Sequence, residues 1–128
     1  MENDYQHIAY IDSHGHPLEG ETHYKLQLPP AIPAASFWSV IVYDRQTRLI
    51  IRNDQMWPSV HSNCRNLGVN PDGSVDVWFG PGVRTDQGNN WIQTIPGKGW
   101  YMVLNLYDPL EAWFDKTWKP GEIEELKF

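Results

Sequence analysis

Two nearly continuous apolar runs, FWSVIVY at 37–43 and WYMVLNLY at 100–107, set the frame for this 128-residue chain. Runs of that length suit central β-strands covered on both faces. Neither approaches the roughly 20 apolar residues that a membrane-spanning helix needs. By contrast, Tyr24, Leu26 and Leu28 alternate with Lys25 and Gln27, the pattern of a half-buried strand with one wet face. Helical periodicity is nearly absent. Strands are expected at Tyr5–Asp12, Thr22–Leu28, Ser36–Tyr43, Arg48–Asn53, Ser74–Phe79, Gly99–Tyr107 and Ile123–Phe128, with room for one helical turn in PLEAWFDKTW at 109–118. Seven Trp, six Tyr and four Phe, combined with ten Gly and ten Pro, point to short strands joined by many loops, hence to a sandwich or barrel.

The turns carry their own chemistry. SHGHP (13–17) and NPDGS (70–74) supply Gly where a positive φ is needed and Pro where φ is fixed. DRQT (44–47) is short enough for a hairpin, and GPGVRTDQGNN (80–90) reads as a long loop at one end of the sandwich. Pro33 and the Pro29–Pro30 pair impose an extended entry into the strand at Ser36. No repeat, charge block or linker divides the chain, so residues 1–128 are read as a single domain, large enough for its own core. Ten Lys and Arg against sixteen Asp and Glu leave a net charge of −6, which excludes a basic footprint for nucleic acid or anionic lipid. Cys64 is the single cysteine, so no internal disulfide exists and the redox compartment is not legible. MENDYQHIAY has neither a basic n-region nor an apolar h-region, which makes the cytoplasm the expected compartment.

At FWSVIVYD (37–44), NPDGSV (70–75), NNW (89–91), LYDP (106–109) and W-K-P (118–120), the order of motifs resembles domain-of-unknown-function family 1214. The resemblance begins at the D-x-x-G-x-x-L-x-G turn of Asp12, Gly15, Leu18 and Gly20 and runs to Pro120. It implies a jelly-roll β-sandwich of two antiparallel sheets, and no established activity. It also implies the C-terminal part of larger bacterial proteins, often exported, with a second uncharacterised domain ahead. Two departures stand out. Asn105 occupies a position where family members usually carry Arg, and Gln93 replaces the Pro of an N-W-L-P pattern.

Several chemistries find little support. His14-x-His16 with Glu21 is similar to the metal motif of cupins, but His16 precedes Pro17 in a turn where the rings need not converge, and no second-motif histidine follows; His23 and His61 join only if the fold brings them close. No metal and no cofactor is therefore expected. There is no G-x-S-x-G elbow, and Ser39 and Ser74 lie in family motifs, Ser74 in a turn where a hydroxyl caps the backbone. Cys64, with His61 and Arg65 nearby in sequence, reads as a small inert filler before a thiolate. GPGVRTDQG lacks the Lys-Ser/Thr of a phosphate-binding loop.

Acid–base chemistry is the enzymatic alternative: a hydrolase, isomerase or cyclase without metal. Asp44, Asp72, Asp76 and Asp108 lie at expected strand ends, with Tyr43 and Tyr107 beside two of them. A carboxyl among aromatic rings has a raised pKa and serves as a general acid; the plainer role for each Asp is to cap a turn. The leading expectation is a binding domain with a small apolar or carbohydrate-like ligand as partner. Trp38, Trp78 and Trp100 fall within strands and are expected in the core, whereas Trp57, Trp91, Trp113 and Trp118 lie in or beside loops. Trp57, Trp91 and Trp113 are the candidate stacking residues, and Asn90 and Gln93 the candidate hydrogen-bonding partners. The third alternative is a structural module whose aromatics bury against another copy in a homo-oligomer.

Overall fold

The two apolar runs become hydrogen-bonded neighbours at the centre of one sheet. The computed structural model describes residues 4–52, 59–63, 67–82 and 90–127. Within them lie β1 (Asp4–Ala9), β2 (Tyr24–Leu28), β3 (Ala34–Asp44), β4 (Ser59–His61), β5 (Val75–Gly80), β6 (Trp91–Gln93), β7 (Trp100–Pro109), a short helix α1 (Glu111–Phe114) and β8 (Glu124–Glu125). One four-stranded sheet has the order β1-β7-β3-β4, the other β6-β5-β2-β8. The protein is thus all-β, with two sheets face to face over a shared core.

Strand parity explains the packing. Trp38, Val40 and Val42 of β3 and Met102, Leu104 and Leu106 of β7 point to the interior, where they meet Leu26 and Leu28 of β2 and Val75, Val77 and Phe79 of β5. The alternation read in 24–28 is present: Tyr24, Leu26 and Leu28 are buried, whereas Gln27 faces outward. In β7 every residue from Trp100 to Leu106 is buried, including those on the outer face, as a continuous apolar run demands. Trp100 stacks on Phe79 at 4.8 Å and meets Tyr24 edge-on at 5.5 Å. Its indole N–H donates to the Glu19 carbonyl, so the largest buried side chain leaves no polar atom unpaired.

The structure corrects four expectations. The second sheet is not purely antiparallel: β6 runs parallel to β5, with Trp78 opposite Trp91 and Gly80 opposite Gln93. Residues 48–52 form a single bridge, Tyr43 with Ile50, because β3 offers the rest of that edge to β4 (Ser39 with His61, Ile41 with Ser59). Residues 123–127 reduce to the two-residue β8. Trp78 is half-buried on the outer face of its sheet, where the Lys25 ammonium lies 5.3 Å from its ring. The helical turn appears as α1, and the DRQT turn closes through Arg48 N–H donating to the Asp44 carbonyl at 2.8 Å. The 83–89 part of the expected long loop, and Cys64, lie outside the described residues.

Leu104 is fully buried at the centre of this ladder. Truncating such a side chain removes its transfer free energy and leaves a cavity, so Leu104→Ala is expected to cost about 2–5 kcal/mol in urea unfolding, with an unchanged m-value.

Candidate functional site

The two sheets do not close on each other along one side. There β1 is the free edge of the first sheet and β8 the edge of the second. The chain from Trp118 to Ile123 bridges the gap as a strap. Gly121 N–H donates to the Gln27 carbonyl at 2.9 Å, and Ser13 N–H donates to the Ile123 carbonyl at 2.8 Å. A Cβ at Gly121 would lie 2.8 Å from the Gln27 oxygen, so only glycine allows the strap to sit this close to β2. Trp118 anchors the strap by donating its indole N–H to the Pro29 carbonyl at 3.1 Å.

Between β1 and the strap runs a groove in two compartments that share His7 and Pro120. One, of about 260 Å³, is lined by His7, Trp113, Trp118 and Pro120 with Lys116 and Lys119 at its rim. The other, of about 400 Å³, continues past Ile8, Tyr10 and Ile11 toward Asp12 and Glu122. His7 reaches the groove because β1 places Tyr5, His7 and Ala9 on the inner face, opposite Leu106, Leu104 and Met102. Trp113 reaches it because α1 packs Ala112 and Trp113 against the edge of the core. Burial lowers the His7 pKa from its ordinary value of 6.5, which keeps the imidazole neutral at physiological pH. At the far end, burial works to raise the Asp12 pKa. The backbone N–H groups of His16 and His14, both donating to Oδ1, outweigh it together with the two nearby imidazoles, and the carboxyl ends below its usual range. Asp12 is therefore an ionised turn cap.

The expected site residues that are described fall in separate places, and of these only Trp113 lines the groove. Asp44 caps the DRQT turn. The Thr47 N–H above all, then the Gln46 N–H and the Lys98 ammonium at 3.9 Å, hold its carboxyl below the usual range against the opposing effect of burial. That leaves it ionised near neutral pH, the state of a general base and not of a general acid. Tyr43 beside it stacks on Tyr101 at 5.3 Å. Asp108 sits at the opposite end of β7, eight residues beyond the partner of Asp44, or about 26 Å at the usual strand rise, so the two carboxylates do not form a pair. It accepts a short hydrogen bond from the Ser36 hydroxyl, and its φ of 53° is left-handed. It lines a shallow depression of about 360 Å³ with Tyr5 and Phe114. Tyr107 packs on Phe37 at 5.4 Å.

Trp91 and Gln93 belong to β6, at the edge of the second sheet. The Trp91 indole donates to the Gly80 carbonyl at 3.2 Å and the Gln93 amide to the Pro81 carbonyl at 3.3 Å. Asn90 is buried and clasps two segments: Oδ1 accepts from Gly68 N–H, and Nδ2 donates to the carbonyls of Gly68 and Asp76. Both its amide donors are thereby engaged in holding backbone. Trp57 lies outside the described residues. The His14 and His16 rings are 6.3 Å apart, and Glu21 accepts instead from Gly97 N–H. Among the described residues no group of three His, Cys, Asp or Glu side chains is gathered to hold a metal ion. No described helix is long and apolar enough to cross a membrane.

Comparison with known proteins locates the chain. The family model described as a protein of unknown function, DUF1214, matches residues 3–111. The chain belongs to the DUF1214 family. No curated protein matches it. Among solved structures, the VPA0106 protein from Vibrio parahaemolyticus superposes with a TM-score of 0.82 at 22% identity, over 98% of this chain and 31% of that one. An uncharacterised protein from Burkholderia cenocepacia superposes with a TM-score of 0.60 at 15% identity, over 98% of this chain and 30% of that one. At these identities the likeness is one of fold. The chain spans about a third of each of these longer proteins.

Within this DUF1214 domain, the Asn105 departure sits in a row of neutral polar groups across the first sheet. The Gln6 amide donates to Asn105 Oδ1 at 2.9 Å, and Asn105 Nδ2 donates to the Ser39 hydroxyl at 3.3 Å. Sequence reasoning missed His7, Lys116 and Lys119, and set Trp118 among loop aromatics when it is buried. Period-two parity from Tyr5 to Ala9 was the available signal for His7, since it puts an imidazole on an inner-facing position.

The lowered His7 pKa fixes a pH dependence. The unfolded chain takes up a proton near 6.5, while the folded chain resists it until lower pH. The His7 contribution is therefore intact above 6.5 and stability falls as pH drops from there toward the folded value. Denaturant unfolding between pH 7.5 and 5 is expected to show this decline in the wild type and a flatter profile in His7→Gln.

Proposed function

We propose that this DUF1214 domain is a binding domain that holds a small apolar ligand in the groove between β1 and the 118–123 strap. The observation that carries this reading is a preformed concavity with Trp113 and Trp118 on its wall, continuous past His7 with a second compartment. Two indoles give a large, rigid apolar surface at small cost in side-chain entropy, and a single neutral imidazole supplies a polar contact. The volumes suit a ligand the size of a medium-chain alcohol or a single ring system. The sandwich around the groove is read as a jelly-roll variant. Successive strands alternate between the sheets at β1–β2, β2–β3, β4–β5, β6–β7 and β7–β8, which supports that reading, while the parallel β5–β6 pair departs from the pattern.

The test is calorimetric titration with 1-octanol. Trp113→Ala is expected to weaken binding about tenfold, the scale of a lost aromatic anchor, with Trp91→Ala unchanged. A loss in Trp91→Ala with Trp113→Ala unaffected would move the site to the outer face of the second sheet, where Trp78 and Trp91 are neighbours.

A further inference from the structure

The groove is charged at its two ends with opposite signs. Lys116 and Lys119 stand at the indole end, Asp12 and Glu122 at the other. Both lysines are exposed, and no ion pair involves either among the described residues. Asp115, next to Lys116 in sequence, is turned into its own loop, where Oδ1 accepts from the backbone N–H and the hydroxyl of Thr117. In a chain with a net charge of −6, the two lysines put two ammonium groups, with no carboxylate partner among the described residues, at the mouth of an apolar cleft. Their long apolar stems allow each head to swing over the rim while the body of the cleft stays dry.

We propose that the ligand is an amphipathic organic anion, a carboxylate on an apolar chain or ring, bound with its head at Lys116 and Lys119 and its apolar body running past His7 toward Ile11. This inference rests on the groove being the binding site, and it adds the charge class and the direction of the ligand. The direction follows from the far end: Asp12 is ionised and already engaged with His14 and His16 N–H, and Glu122 lies beside it, so an anionic head there meets like charge. His7, held neutral by burial, leaves the two lysines as the positive groups among the lining residues. A carboxylate at the rim keeps most of its hydration, and exposed pairs of this kind contribute modestly each. The expected preference over an uncharged analogue is therefore about 3- to 10-fold, decreasing with salt.

Three probes of one chain length separate these ideas: 1-octanol, octanoate and octylammonium, titrated into the full chain and into a Lys116→Gln/Lys119→Gln variant. Both substitutions are at exposed positions, so the variant is expected to fold, which its thermal melt checks. The expected result is octanoate tighter than octanol by about 3- to 10-fold and octylammonium weakest, with the octanoate advantage over octanol lost in the double variant. Equal binding of octanol and octanoate, a preference for octylammonium, or an octanoate preference that survives in the double variant would overturn the anion assignment while leaving the groove in place. Failure of octanol and octanoate alike to bind the wild type would overturn the groove itself, and the anion assignment with it.

Discussion

The pairing of β3 with β7 is the constraint on which the rest depends. It joins residues 34–44 to 100–109 through nine matched pairs, the longest ladder in the structure. Its inner face supplies Trp38, Val40, Val42, Met102, Leu104 and Leu106 to the core. The same ladder sets the separation of the molecule's two ends, because Asp44 and Asp108 are carried to opposite limits of it. β1 has no described strand partner other than β7, so the position of His7, and with it the wall of the groove, follows from the register of the central pair.

The groove exists because the sandwich is closed on one side by a strap instead of by strand pairing. A strand there would satisfy its neighbours along their whole length and fill the seam. The strap makes single backbone bonds, to Gln27 and to Ser13, and otherwise leans on Trp118. Fixed points spaced along an extended segment leave room between them, and that room is lined by whatever the two edges present. Here they present indoles and an imidazole on the inside and charges at the rim.

Much of this was legible from residue pattern, and the physical reason is burial. β7 is buried on both faces from Trp100 to Leu106 and reads as an apolar run, while the similar run in β3 keeps Phe37, Ile41 and Tyr43 half-exposed on its outer face; β2 is covered on one face, so Tyr24 to Leu28 alternates. β4 and β6 have three residues each and β8 has two, too few for any period to emerge. Asn90 misled for a related reason: an amide beside a tryptophan suits a ligand contact or a backbone clasp equally well, and only the approach of Gly68 and Asp76 decides between them. Trp113 was legible as a loop aromatic with apolar flanks. The lysines were not, because a rim charge is defined by the cleft beside it and carries no local signature.

The placement of β7 also has a kinetic consequence. β1 and β3 are both made before it, and neither pairs with the other; β1, and the edge of β3 that β4 leaves open, wait for a strand that begins at Trp100. Loop closure over such separations is slow, so folding on the scale of milliseconds to seconds is the norm for topologies of this kind. Until then β1 and one edge of the apolar β3 stand open, the condition in which a nascent chain pairs with the wrong neighbour. A central strand of the first sheet is the last of its four to leave the ribosome.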